Sequence, residues 1–429
     1  MVAVLFISLV ALMFVGVPIA ASIGFASLAS MIAGGSTTLY LVAQKMVTAL
    51  DSTTLIAIPL FVLAGAIMGK GGISKRIIDL SYEIFGWIPG SLGIVTVVAC
   101  MFFAALSGSS PATVAAIGGI MVPAMIEDGY PAGYSAAIAA SGGIIGCIIP
   151  PSIPFVNYGL ITGVSVGDLF AGGIVPGILM GVALCVIVSI QATRNHWGSR
   201  THGINGKKVL AALKSSVLAL LMPVIILGGI YGGFFTPTEA AGVACVYGMV
   251  VACLIYRTVQ FRNLMDIAFD GVLTSSMIMF IVAAANAFSN IITTQQVPAM
   301  LSALVLSITD NKNIVLLLIN IMLLINGCFM EETATTYIYT PILFPLITSL
   351  GVNPVQFGVI MVMNMTMGLI TPPLGINLFV ATSLDPRVKL SNQIKYILPL
   401  FLVLFVVLML VTYIPSISLC MVNLIGGGV

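Results

Sequence analysis

Apolar residues run through this chain in long blocks and not in alternation. No charged residue precedes Lys45, and charge-free stretches cover 52–69, 84–126, 129–167, 169–193, 215–238, 240–256, 271–309, 333–384 and 396–429. A helix needs about 20 such residues to cross the hydrocarbon of a bilayer once. Several blocks are far longer, so they must fold back, tilt or break. Two carry their own break: "GCIIPPSIPFVNYG" from Gly146 and "ITPPLGINLF" from Ile370. Each adjacent proline pair removes backbone donors and clashes with the preceding turn, so neither helix can continue through it. The segment 73–88, "ISKRIIDLSYEIFGWI", instead mixes charged and apolar residues at helical spacing. It predicts an interfacial arm, anchored by Trp87 with Lys75 and Arg76 toward headgroups, linking outer helices to the rest.

Composition fixes the solvent. The chain is 60% hydrophobic and 7% charged with a mean hydropathy of +1.20, against about 25% charged in a soluble domain. It reads as an all-α polytopic membrane protein. The amino terminus lacks the basic region and cleavage pattern of a removable signal and reads as a retained first span. A net charge of +2 says little about partners. The seven cysteines sit singly in apolar segments, which predicts packing rather than metal ligation or disulfides. His196 and His202 belong to a polar linker.

Basic residues bias topology toward the cytoplasm. With the linker 194–214 inside, thirteen basic residues fall inside and two, Lys45 and Lys312, outside. That bias holds only if 84–126 and about 313–346 each enter and leave on one face, as re-entrant hairpins. Their middles, "FFAALSGSSPATVAAIGG" and "NGCFMEETATTYIYTP", supply the polar tips such turns need.

Shifting the chain by 222 residues lays Pro150-Pro151 on Pro372-Pro373, Pro123 on Pro345, Gly129 on Gly351, Gly146 on Gly368 and Ser109-Ser110 on Glu331-Glu332. An odd number of crossings between copies makes this an inverted repeat, with two re-entrant hairpins and two Pro-Pro-broken helices. The expected division is 1–88 (scaffold helices and arm), 89–165 (transport elements), 166–232 (scaffold helix, cytoplasmic linker and connecting helix), 233–311 (scaffold helices and arm), 312–385 (transport elements) and 386–429 (final scaffold helix). Inverted repeats with broken helices are the mark of secondary transporters. Carbonyls before each break, such as those of Gly146, Ile149, Gly368 and Thr371, are expected to lose their intrahelical donors. With nearby hydroxyls they would form hard-oxygen cages suited to Na+. Helix amino ends aimed at the same centre suit an anionic carboxylate.

At this point the chain resembles a known family. "IPLFVLAGAIMGKGGIS" (58–74), "AALSGSSPATVAAIG" (104–118), "GIIGCIIPPSIPFVNYG" (143–159), "GGFFTPTEAAGV" (232–243) and "MGLITPPLGINLFV" (367–380) look like the large, DctM-like membrane subunit of tripartite ATP-independent periplasmic (TRAP) transporters. The resemblance covers essentially the whole chain. It implies an ion-transporter-superfamily elevator fold in the bacterial inner membrane and sodium-driven import of a small carboxylate, a C4-dicarboxylate or an acidic sugar such as sialic acid. It also implies a small four-helix membrane subunit and a soluble periplasmic binding protein as partners, with no cofactor beyond Na+ as coupling ion. Carried over by position, one sodium site would draw on Ser107, Ser109, Ser110, Gly146, Ile149 and Ser152. The other would draw on Gly327, Glu332, Thr335, Gly368 and Thr371. Substrate would meet Ser109, Pro150, Pro151, Asn157, Thr333, Pro372, Pro373 and Asn377.

Three roles stand open for Glu331 and Glu332: charge compensation of sodium, a coupling proton site, or contact with outside water. Glu239 and Asp51 read as helix caps. A serine hydrolase at "LSGSSP" would need a base, yet both histidines lie in the linker and no lysine lies at membrane depth near Ser107. No phosphate-binding glycine loop supports a pump. An anion channel and a stand-alone sodium/carboxylate symporter are the remaining alternatives.

Overall fold

The computed structural model describes residues 1–35, 40–198, 203, 205–373 and 375–425; His202 lies outside them. The described residues form helices and connecting turns, with no strand. Among the described residues six helices are long and apolar enough to cross a membrane: Ser110–Glu127, Val166–Asn195, Gly206–Tyr231, Pro237–Ile255, Leu264–Thr294 and Leu390–Tyr413. Tyr40–Leu50 and Thr54–Lys70, bent by 67°, add a seventh if they make one span.

Element boundaries recur at the offset seen in the sequence. Ser110–Glu127 lands on Glu332–Ser349, and the helix starting at Ala132 lands on the one starting at Pro354. Local chemistry sets these ends. Gly108, at φ +60°, closes the helix Ser91–Ser107 in a left-handed conformation that costs glycine no Cβ clash. Asn353 accepts from the backbone N–H groups of Val355 and Gln356 to open Pro354–Gly368.

The first hairpin is Ser91–Ser107 followed by Ser110–Glu127; the second is Lys312–Gly327 followed by Glu332–Ser349. The first broken helix runs Ala132–Cys147, then Ile153–Thr162. The second runs Pro354–Gly368, then Ile376–Ser383. Both proline pairs are joined by cis peptide bonds. Glu239 caps as expected, closing a capping box with Thr236 at the start of Pro237–Met249. Thr236 donates twice to its carboxylate, from the backbone N–H at 2.8 Å and from the hydroxyl at 2.9 Å. Asp51 does not cap: the short helix Thr54–Ile56 begins at Thr53 with no side-chain cap. The arm Ile73–Phe85 buries Ile73, Ile77 and Leu80 and leaves Trp87 exposed beyond its end.

Val166–Asn195 and Leu390–Tyr413, expected among scaffold helices, pack on each other and on the hairpins and broken helices. On Val166–Asn195 the reason is a row of glycines one turn apart. A Cβ at Gly173 would meet the Ile148 carbonyl oxygen at 2.4 Å, and one at Gly181 would meet Met101 at 2.1 Å. Without side chains there, the backbone closes directly on the first break. On the other side a buried chain joins three elements. Asn364 donates to Asn320 at 2.6 Å, and Asn320 donates to Thr412 at 3.0 Å.

Candidate functional site

The two hairpin tips and the two breaks meet in the interior, and the two halves build similar polar clusters. In the first, the Thr113 hydroxyl donates to the Ser109 carbonyl at 2.8 Å and lies 2.8 Å from Ser107 Oγ. Gly146 seals this cluster, because a Cβ there would sit 2.6 Å from Thr113 Oγ1 and 3.0 Å from Ser109 O. In the second, the Thr335 hydroxyl donates to the Glu331 carbonyl at 3.0 Å and accepts from Asn326 Nδ2 at 2.9 Å. Gly327 and Gly368 touch backbone to backbone; a Cβ on Gly368 would approach the Gly327 carbonyl carbon to 2.4 Å. Thr113 and Thr335 occupy equivalent positions in the two halves, as do Ser109 and Glu331. A hydroxyl that donates its proton to a carbonyl keeps lone pairs free, so both clusters present hard oxygen donors.

Several residues expected at these clusters are placed otherwise. Ser152 caps the half-helix Ile153–Thr162, accepting from Phe155 N–H and donating to the Cys147 carbonyl. The Ser110 hydroxyl accepts from Asn377 Nδ2 at 2.6 Å, so it faces the second half. The Ile149 side chain packs on the helix carrying Gly177. The Gly368 carbonyl is not freed by the second break, because Thr371 N–H donates to it at 3.0 Å. The Thr371 hydroxyl donates to the Met367 carbonyl at 2.8 Å.

Glu332 departs furthest from its expected grouping with Gly368 and Thr371. Its Oε1 accepts from the Cys147 thiol at 3.4 Å, on the first broken helix, and Oε2 is buried with no hydrogen-bond partner. Among the described residues no Lys, Arg or His forms an ion pair with it. Glu331 plays a different part. Its carboxylate accepts from Thr333 N–H at 2.9 Å, Ala334 N–H at 3.2 Å and the Thr333 hydroxyl at 2.9 Å. It therefore fills the amino end of Glu332–Ser349 itself, and both Thr333 donors are spent on it.

The remaining expected substrate contacts divide by exposure. Pro150, Pro151, Asn157 and Asn377 are buried, whereas Pro372 and Pro373 are exposed. Asn157 accepts from the Tyr337 hydroxyl at 3.4 Å and leaves Nδ2 without a partner; Asn377 leaves Oδ1 without one. Gly108 explains why the first break is covered, since a Cβ there would meet the Pro151 carbonyl oxygen at 2.8 Å.

Sequence reasoning missed Thr113, Asn326 and Cys147. The repeat itself could have found Thr113, which falls on Thr335 at the common offset. Cys147 gave no such signal, because Leu369 stands opposite it in the second half.

The family model for the DctM component of tripartite ATP-independent periplasmic transporters matches residues 6–417. The chain belongs to that family. It is 45% identical to the isethionate TRAP transporter permease protein DctMQ of Oleidesulfovibrio alaskensis, over 94% of this chain but 64% of that longer protein. It is 44% identical to the C4-dicarboxylate TRAP transporter large permease protein DctM of Pseudomonas aeruginosa over 90% of each. The sialic acid TRAP transporter large permease protein SiaM of Vibrio cholerae is 35% identical over 97% of each. Among solved structures, the YdaH transporter of Alcanivorax borkumensis superposes with a TM-score of 0.57 at 15% identity, covering 86% of this chain and 88% of that one. That likeness concerns the fold alone. This DctM-family chain is thus a multi-pass membrane transporter subunit, and its relatives are named as permeases.

Proposed function

We propose that this chain is the large membrane subunit of a sodium-driven importer of a small organic anion in the bacterial inner membrane. One observation carries the reading: two equivalent threonine–carbonyl clusters at the hairpin tips, the first closed against its helix break by Gly146, the second on a hairpin whose Gly327 touches Gly368 before the other break. Na+ would be held in the first by Ser107, Thr113 and the Ser109 carbonyl beside Gly146. In the second, Thr335, Asn326 and the Glu331 carbonyl beside Gly327 and Gly368 would hold it, with Thr371 nearby. A buried carboxylate without a counter-charge is costly, and a cation close to Glu332 would offset that cost.

The substrate class follows from the relatives. C4-dicarboxylates and sialic acid are carboxylates, and isethionate extends the class to a sulfonate. The anion would lie between the tips near Ser109, Asn157 and Asn377, facing helix amino ends. Movement would be elevator-like, with the two halves acting as inverted copies. The hairpins, broken helices and the two helices packed on them, Val166–Asn195 and Leu390–Tyr413, would travel against the outer helices. A small four-helix subunit and a soluble periplasmic binding protein would complete the transporter.

The test is thermal stability of the purified chain in sodium against potassium at equal ionic strength. A cation that binds only the folded state at about 100 times its dissociation constant stabilises it by about 2.7 kcal/mol. A sodium-specific rise, lost in Thr113→Val and Thr335→Val together, supports two cation clusters. Equal melting in the two salts, together with uptake that persists without sodium in the reconstituted transporter, would reject sodium coupling.

A further inference from the structure

The repeat puts Ser109-Ser110 at one hairpin tip and Glu331-Glu332 at the equivalent place on the other. The two tips match in fold and differ in charge. No lysine, arginine or histidine occurs from 77 to 193 or from 313 to 386. The two hairpins and two broken helices therefore hold one basic side chain, Lys312. It lies at the opposite end of the second hairpin's first arm from the tip and donates to the Gly351 carbonyl at 3.2 Å. Nothing basic on these elements balances the glutamates.

Glu331 is satisfied by three donors of its own helix. Glu332 is not. It is 8% exposed, its Oε1 takes the Cys147 thiol and its Oε2 has no partner. One run of contacts fixes where this carboxylate sits. Cys147 Sγ, 3.4 Å from Glu332 Oε1, also accepts from Ser110 N–H at 3.1 Å, and Ser110 Oγ accepts from Asn377 Nδ2 at 2.6 Å. Glu332 thus reaches from the second tip to the first, across the space assigned above to substrate. Two further buried atoms on the broken helices lack partners: Asn377 Oδ1, an acceptor, and Asn157 Nδ2, a donor.

A wholly negative acid between the tips would be pressed against this carboxylate, and like charges repel strongly in a low-dielectric interior. Sodium held in either cluster is tied to hydroxyls and carbonyls, whereas Glu332 is turned to a thiol, a soft ligand that suits Na+ poorly. An ammonium group brings both a positive charge and three donors. One hydrogen can go to Glu332 Oε2 and another to Asn377 Oδ1, while Asn157 Nδ2 is left to donate to an acid group.

Resting on the function proposed above, we infer that the transported acid is bipolar. It carries an ammonium group, received by Glu332, besides the carboxylate or sulfonate that faces Asn157 and the serines of the first tip. The unequal tips orient it: acid toward Ser109-Ser110, ammonium toward Glu332.

The experiment uses the purified full chain in nanodiscs, in sodium at neutral pH. The probes are matched pairs with and without an amino group: L-aspartate and succinate, β-alanine and propionate, taurine and isethionate. The reading is the concentration giving half the maximal rise in melting temperature. An amino member that stabilises the chain should do so at about a tenth of its partner's concentration, because a site with a buried polar group rejects the analogue that leaves it unpaired. Glu332→Gln should bring that ratio to about one, and Glu332→Asp should keep most of it. The ratio is taken within one variant, so a general loss of stability does not enter it. A ratio near one in the wild type, or one that Glu332→Gln leaves unmoved, would overturn the inference. So would the absence of a rise with all three amino probes. A higher half-maximal sodium in Glu332→Gln with an unmoved ratio would make Na+ the counter-charge of Glu332; the inference then fails and the proposed function stands. The comparison of sodium with potassium judges that function separately.

Discussion

The thiol of Cys147 lies 3.4 Å from Oε1 of Glu332, joining the break of one half to the hairpin tip of the other. A second tie runs the opposite way, from Asn377 after the second break to Ser110 at the first tip, at 2.6 Å. Each half thus holds the other's tip.

Removing the thiol leaves both Glu332 carboxyl oxygens without a protein partner. Cys147→Ala should lower stability by about 1–3 kcal/mol, the usual cost of orphaning a buried polar group. Cys147→Ser keeps a donor and should recover most of it. Thermal unfolding of the two variants in nanodiscs checks this; equal melting of Ala and Ser variants would show that the thiol only fills space.

Ser110→Ala and Asn377→Ala should not add. Residues sharing one hydrogen bond couple by about 0.5–3 kcal/mol, so the double variant should be less destabilised than the sum of the singles. Strict additivity would mean that the 2.6 Å contact carries no energy.

Thr113→Val and Thr335→Val remove one oxygen each and keep the volume. Each should raise half-maximal sodium for uptake about tenfold, corresponding to about 1.4 kcal/mol, and by similar amounts because their positions are equivalent. A change in one with none in the other would break the pairing of the clusters.

Gly368→Ala tests close approach directly, because the new methyl must push against the Gly327 backbone, which cannot yield as a side chain tip can. Overpacking of this kind costs about 1–3 kcal/mol, and uptake should fall with it. Gly119→Ala, where a Cβ would meet nothing within 4 Å, serves as the control. Equal behaviour of the two variants would show that the second cluster tolerates separation.

The sequence by itself determined where the helices break and that they break twice. Proline acts on its own turn, and charge-free length acts on its own segment, so Pro150-Pro151, Pro372-Pro373 and the polar tips were readable in order. The common offset then carried element ends across, down to Ser110–Glu127 on Glu332–Ser349. What only the tertiary structure decided is which half's atoms meet. Nothing along the chain assigns Glu332 to Cys147 or Ser110 to Asn377, because each pair is far apart in sequence, and although Ser110 and Glu332 share the offset, Cys147 falls on Leu369 and Asn377 on Phe155. The placement of Val166–Asn195 and Leu390–Tyr413 against the core was hidden for a related reason. In lipid, an apolar helix face gains nothing special by facing protein, so hydrophobicity does not separate inner helices from outer ones. Close backbone approach at glycines such as Gly173, and oxygen atoms brought within hydrogen-bond reach, separate them instead. Both are properties of packing.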